Sequence, residues 1–510
     1  MSFRIVTAPV TGTRLTRSVV DGSANSAWYV KRPATKADWM ARAGLIRESL
    51  VAPQWLDSIA PAFAATGHAA ARLERAALSG IAVTTGQQPG LFGGPLYTWW
   101  KALSVLALAN RLQSVTGLAV VPVFWAATDD ADFVEASSTV VTSADGVEVI
   151  QIERLMPEGT PMAQMPLGDV SRELERLVAA AGSAPGTGIL DLVRWSYSDE
   201  ATVGSAYVEL LRAVLGPLGI AVLDASHPSV RQAALPILNR AIEKAEAVEE
   251  ALTARSASLK TAGHLAQVKP VKGRTLVFAE QEGKRDRIRI SDASRVLSVD
   301  LRSGMGPNVL LRPIVERSII PTVAYMGGPG EIAYFAQVSA VAEALDTPAP
   351  LIVPRWSGFV VEQRVQRILE RHDLSIEDFR DPHAVESRLA KESLPSDLTS
   401  KLDELRESLA KSVSGLASAG NDGLVPPAVL DGLKHNVGHR LDRLERRLSA
   451  GVKRRGNDAL RDAAIARSAL FPLGKAQERI LNVVPLLARH GDDLFASVMR
   501  ETDLHAGSLA

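Results

Sequence analysis

Three aspartates in four residues, Asp129, Asp130 and Asp132, follow the apolar run 118–127, so carboxylates cluster where a buried segment surfaces. Such a group can hold an ammonium, hold Mg²⁺ beside a nucleotide, or take a proton from an attacking amine; Asp is also a favoured helix cap. A second candidate is GQQPGLFGGP, with four glycines in residues 86–94. Gly86, Gly90 and Gly94 would either let backbone N–H groups and the dipole of the next helix face an anion, or simply make a tight turn. The side-chain amides of Gln87 and Gln88 weigh toward a ligand. Lys101, in the helix that follows, serves the same anion or is a surface lysine. Arg312, after the mostly apolar NVLL, is expected at a strand end, where its guanidinium can clamp a carboxylate or phosphate or form a structural ion pair. A further Gly-rich junction, GGPGE, supplies Gly327, Gly328, Gly330 and Glu331. His227 and His264 read as structural histidines rather than bases, because neither has partners that sequence can place.

These residues need elements to position them, and the chain supplies a strand-then-helix alternation from about residue 80. Runs 81–84, 118–127, 220–223 and 322–326 are short, apolar and β-branched, as strands buried on both faces of a parallel sheet are. Each ends in a polar or Gly-rich segment before a helix; the first such helix opens at Pro95 with Leu96, Trp99, Leu103 and Leu106 on one face. The fold predicted is α/β, a doubly wound parallel sheet. Ligands of such sheets bind beyond the C-terminal strand ends, so segments 86–94, 129–132, 224–227 and 327–331 should share one edge. Insertions near 140–215 and 255–305, the second with β-like TLVFAEQ and RIRIS, should decorate the sheet. Residues 1–75 are expected as a helical and loop segment packing on a core of residues 76–360.

Beyond about 360 the pattern is helical to about 490, with a tail over 491–510. Leu398, Leu402, Leu405, Leu409, Val413 and Leu416 step by three or four, as do Leu433, Val437, Leu441, Leu444, Leu448 and Val452, on either side of LVPPAVL. Two apolar seams joined by a break predict an antiparallel helical hairpin or coiled coil whose exposed seams call for a homodimer. Between Lys434 and Arg461, nine Lys or Arg face three Asp or Glu, the pattern of a solvated helix face.

Composition bounds the rest. Lys plus Arg and Asp plus Glu balance at 57 each, which disfavours a dedicated nucleic-acid binder. No cysteine is present, which excludes a disulfide framework, a thiolate metal site and a cysteine nucleophile, so any thiol chemistry must belong to a ligand. The start MSFRIVTAPVTGTRL lacks the pattern of a secretory signal, and residues 112–128 are broken by Gly117 and Pro122, so neither membrane nor export is expected and the cytoplasm is the expected location.

Taken in order, TTGQQPGLFGGPLYTWWK (84–101), PVFWAATDDADFVE (122–135), AGHLAQV with TLVFAEQEGKR (near 262–285), NVLLRPIVERSIIPTVAYMGGPGEIAYFAQ (308–337) and FPLGKAQERILNVVPLLARHG (471–491) resemble one family over nearly the whole chain. It is the bacillithiol-biosynthesis family that joins cysteine to glucosaminyl malate. The resemblance implies a Rossmann-like core with insertions, similar to class I aminoacyl-tRNA synthetases and nucleotidylyl transferases, followed by a dimerising α-helical coiled coil. It implies a cysteine ligase of the last pathway step, with ATP or ADP and Mg²⁺ as accompanying ligands and no metal site made by side chains alone. Asp129, Asp130, Asp132, Gln88 and Arg312 would be catalytic. Gly86, Gln87, Gly90, Gly94, Tyr97, Thr98, Lys101, Tyr325, Gly327, Gly328, Gly330 and Glu331 would bind substrate or nucleotide. One departure stands out: Ala131 occupies the place of the family's histidine, and Asp129 that of a glutamate. This leaves two rivals, a nucleotidylyl transferase or other amino-acid ligase on the same fold, and a coiled-coil scaffold whose head only binds a nucleotide.

Overall fold

Five apolar runs form the central sheet: β1 (Ile81–Gln87), β2 (Val120–Ala126), β3 (Ala221–Asp224), β4 (Thr322–Gly327) and β5 (Ile352–Pro354). All neighbours pair in parallel, in the order β5-β4-β1-β2-β3. The computed structural model describes residues 2–143, 146–183, 188–281, 284–298, 304–419, 426–455 and 458–510. Successive side chains of a strand point to opposite faces. Thus Val121, Val123 and Trp125 of β2 enter one apolar cluster, while Phe124 and Ala126 enter another on the far side. Both faces are covered, which is why the strands read as unbroken apolar runs rather than alternating ones.

Helix α1 (Leu96–Thr116) links β1 to β2, and α3 (Pro329–Ala344) links β4 to β5. Helix α2 (Arg312–Ile319) precedes β4. Arg312 therefore starts a helix instead of ending a strand. The cause is Asn308, whose side-chain Oδ1 accepts from the amides of Leu310 at 3.1 Å and Leu311 at 3.0 Å, folding NVLL into a turn; Pro313 then suits the first helical turn. The insertions form their own small sheets, a hairpin of Ser138–Ser143 with Gly146–Gln151 and a three-stranded sheet of Arg274–Gln281, Lys284–Arg289 and Met305–Pro307.

The strand Phe3–Thr7 pairs antiparallel with Gly358–Glu362, tying the first residues to the end of the sheet region. From there the chain leaves as α4 (Ser396–Ala419) and α5 (Pro427–Arg455) and returns through α6 (Asp458–Leu470). Leu402, Leu430 and Leu441 are buried in this arm, but Leu405 and Leu416 are 51% and 50% exposed, and Leu433 and Leu444 41% and 44%. The side chains of Val452, Lys453, Arg454 and Arg455 lie outside the described residues. The expected tail is a helix, α7 (Asp492–Gly507), and it packs along α1: Leu494 and Val498 are fully buried, and Phe495 stacks on Trp99 with centroids 5.9 Å apart. The cover makes α1 apolar nearly all round. No helix among the described residues is long and apolar enough to cross a membrane.

Candidate active site

A pocket of about 470 Å³ opens beyond the C-terminal ends of β1, β2 and β4, within the size range of small-molecule sites. It brings together Gly86, Gln87, Gln88, Tyr97 and Lys101, then Asp129, Asp130, Ala131 and Asp132, then Arg312, Gly328, Gly330 and Glu331. These residues come from three junctions and one helix start, because a parallel sheet delivers all its strand ends to one rim.

One wall is a hydrogen-bonded chain of charges. Lys101 Nζ donates to Gly86 O at 2.8 Å and to Gln87 Oε1 at 3.0 Å, and lies 2.6 Å from Glu331 Oε2. Far from the surface, Lys101 is 2% exposed. Glu331 also accepts from the Gly328 amide at 2.7 Å and from the Tyr325 hydroxyl at 2.6 Å, and that hydroxyl accepts from Arg312 Nη2 at 2.9 Å. Arg312 Nη1 donates to Glu316 Oε2 at 2.9 Å, and the Thr84 hydroxyl closes on the other oxygen of Glu316. Gly86 makes this approach possible, since a Cβ there would stand 3.2 Å from Arg312 Nη1. Burial lowers the pKa of Lys101 despite Glu331. Burial would raise Glu331, but Lys101 and the Gly328 amide outweigh it and hold the carboxylate below its ordinary value. Burial pushes Glu316 up to about 7, against the pull of Arg312.

A second part of the lining is acidic and set by local bonds. Asp130 Oδ1 accepts from the Asp132 amide at 2.8 Å; Asp132 Oδ1 accepts from the Glu135 amide at 3.2 Å and so caps the short helix Phe133–Ala136. Glu135 stands beside them, its pKa raised by desolvation first and then by Asp132 and Asp130, with its Oε1 3.4 Å from the Tyr97 hydroxyl. Ala131 presents a methyl group, and no histidine lines the pocket among the described residues. Among those residues no three His, Cys, Asp or Glu side chains converge as a metal cage.

Other expected residues lie outside the pocket lining. At the far end of the glycine loop three amides are used within the fold: the Gly93 amide donates to Gly90 O and the Tyr197 hydroxyl, the Gly94 amide to Leu91 O, and the Leu96 amide to Leu481 O. Gly90 is where it is because a Cβ would meet Gly94 Cα at 2.7 Å, and Gly94 because its φ is +71°. Both are turn residues, and Thr98, 1% exposed, also lies away from the pocket lining. Tyr325, 1% exposed, works from behind by holding Arg312 and Glu331, and Gly327 lets β4 pack on β5, its Cβ position lying 2.6 Å from Ile352 Cδ1. The segment 224–227 shares the rim but not the lining: Asp224 bonds Thr128 and Ser226, and His227 Nδ1 accepts from the Ser229 amide at 3.2 Å to start a helix. His264 packs edge-on to Trp28, with centroids 5.9 Å apart.

Sequence reasoning missed Glu135, Asn308, Tyr334, Arg355 and Arg479, all but Glu135 in the lining itself. Arg355 is 3% exposed and grips Glu478 with both Nη atoms, at 2.9 and 2.5 Å. Glu135, Asn308, Tyr334 and Arg479 lie in stretches that carry the resemblance and Arg355 in none, and no stretch shows which side chain turns inward.

Comparison with known proteins agrees with this architecture. A family model described as Bacillithiol biosynthesis BshC, N-terminal Rossmann-like domain, matches residues 24–356, and one described as the BshC C-terminal coiled-coil domain matches residues 358–508. The protein named "Putative cysteine ligase BshC" from Solibacter usitatus is 32% identical over 441 residues, covering 83% of each chain. Proteins of the same name from Koribacter versatilis and Staphylococcus carnosus are 31% and 28% identical, covering 84% and 81% of this chain and 83% and 81% of their own. With a Rossmann-like sheet, a helical arm and relatives of this kind along most of its length, the chain belongs to the bacillithiol biosynthesis BshC family.

Proposed function

We propose that this protein is a ligase that joins the carboxyl group of L-cysteine to the amine of glucosaminyl malate, the last step of bacillithiol formation. The observation that carries the reading is one pocket lined by two kinds of charge, the carboxylates of Asp129, Asp130 and Asp132 and the cations of Lys101, Arg312, Arg355 and Arg479. An ammonium suits the first, and a carboxylate or phosphate the second. Amines do not displace a bare carboxylate at useful rates, so ATP with its Mg²⁺ would convert the carboxylate to an acyl phosphate or acyl adenylate, releasing ADP or pyrophosphate, and phosphate or AMP would leave as the amine attacks. The ATP phosphates would suit the basic lining of Lys101, Arg312, Arg355 and Arg479. The acidic cluster then holds the cysteine ammonium or takes the proton released as the C–N bond forms, and Gln88, also in the lining, would orient the carbonyl.

Purified protein incubated with cysteine, glucosaminyl malate and ATP should yield bacillithiol by mass. Asp130→Asn and Arg312→Ala should each lower kcat/KM by about 10²-fold or more, the scale of losing one preorganised charge. Unchanged rates in both variants would sink the assignment. Ala131 favours a second reading, another amino-acid ligase or a nucleotidylyl transferase on the same fold, and a panel of amino acids and amine acceptors separates the two. The scaffold reading predicts ligand binding with no turnover of any of them. The half-exposed leucines of the arm support a homodimer through α4 and α5.

A further inference from the structure

Each of three pocket cations is already matched: Lys101 to Glu331, Arg312 to Glu316 and Arg355 to Glu478. Arg479 is different. It lines the same pocket, is exposed, and has no side-chain hydrogen bond or ion pair among the described residues. Its backbone is nevertheless fixed. The Arg479 amide donates to Ala476 O at 2.9 Å; Glu478 before it is locked on Arg355; and Asn482 after it donates to Phe92 O and Thr139 Oγ1, both at 3.0 Å. A rigid mount with an unmatched guanidinium at a cavity wall is the arrangement expected of a ligand contact.

A second observation comes from Arg355. Its two Nη atoms are consumed by Glu478 and Trp356 O, yet its buried Nε has no hydrogen-bond partner. That Nε lies beside Gly328, where a Cβ would stand 3.6 Å away, so the small residue keeps the donor from being walled off. Buried donors are rarely left unmatched, and a bound oxyanion would satisfy this one. Tyr97 joins the two: the Arg355 guanidinium lies 5.8 Å from its ring centroid, and its hydroxyl feels the charges of both Arg479 and Arg355.

We propose that Arg355 and Arg479 form an oxyanion subsite, on the edge of the pocket marked by Tyr97 and Gly328, that takes a carboxylate or phosphate of an incoming ligand. Within the ligase reading on which it builds, the anion is a malyl carboxylate or a nucleotide phosphate. Arg355 follows β5 in the head, whereas Arg479 and the Glu478 that grips Arg355 are delivered by the segment that returns from the arm, so the subsite is complete only when that segment is seated.

The test uses the full-length protein, with malate and inorganic pyrophosphate as separate probes in isothermal titration. Arg479→Ala should weaken one probe by about tenfold or more while the melting temperature stays put, and Arg479→Lys should restore part of the affinity. Loss confined to malate identifies the carboxylate as the ligand, and loss confined to pyrophosphate identifies the phosphate. In turnover, the same variant should raise KM for the matching substrate with kcat little changed, the mark of lost binding rather than lost chemistry. Wild type that binds neither probe, or a variant that binds both as well as wild type, overturns the subsite. If Arg479-dependent binding is found but no amide product forms, the ligase reading fails and the subsite stands.

Discussion

Glu316 is 1% exposed and sits one hydrogen bond behind the pocket, on the lining residue Arg312. Its folded pKa of about 7 lies above the ordinary 4.5, so the folded state holds this proton more tightly than the unfolded chain. Its contribution to stability is complete below about pH 4.5 and is lost as pH rises through about 7. Unfolding free energies measured across this window should therefore fall with pH, by on the order of 3 kcal/mol at most. Glu316→Gln should remove that part of the slope, and an unchanged slope in the variant would show that other groups cause it. The same proton bears on the site. Once Glu316 ionises, Arg312 is held by a full charge and less of its own field reaches the pocket.

At the level of elements, the clamp at Asn482 decides whether the glycine loop and the return segment stay together. Its amide donates to Leu91, Phe92 and Gly94 carbonyls and to Thr139, while its Oδ1 accepts from the Val484 amide at 2.8 Å. Asn482→Ala strands these buried groups and should cost about 1–3 kcal/mol, read from urea unfolding. A loss within error would mean that water replaces the amide. These elements also show what sequence could and could not reveal. The first four strands and α1 were legible because burial on both faces leaves an unbroken apolar run, and the candidate loops followed from where such strands end. The fifth strand, Ile352–Pro354, is too short to show a period. Phe3–Thr7 becomes a strand only through a partner far along the chain. Arg355 and Glu478 lie 123 residues apart, and no local pattern announces a pair at that distance. The glycine loop was legible only in part: composition cannot tell Gly86, which lines the pocket, from Gly93 and Gly94, whose amides are used within the turn.

For the whole molecule, the arm is an excursion rather than an end, since α6 and α7 bring the chain back to the head. The proposed dimer should therefore be separable from the site. Leu405→Glu combined with Leu444→Glu should yield a monomer by light scattering while helicity and binding of small ligands persist; a variant that stays dimeric would place the contact elsewhere. The pairing of Phe3–Thr7 with Gly358–Glu362, and the cover that α7 lays over α1, carry a consequence for biosynthesis. A ribosome releases the opening strand long before its mate, and releases the tryptophan-bearing helix before the lid that shields it. The arm, built from contacts between neighbours in sequence, can assemble while the rest is still waiting. The nascent protein thus carries open apolar surface until its last turns emerge, and a cell making it in quantity has reason to keep a chaperone close at hand.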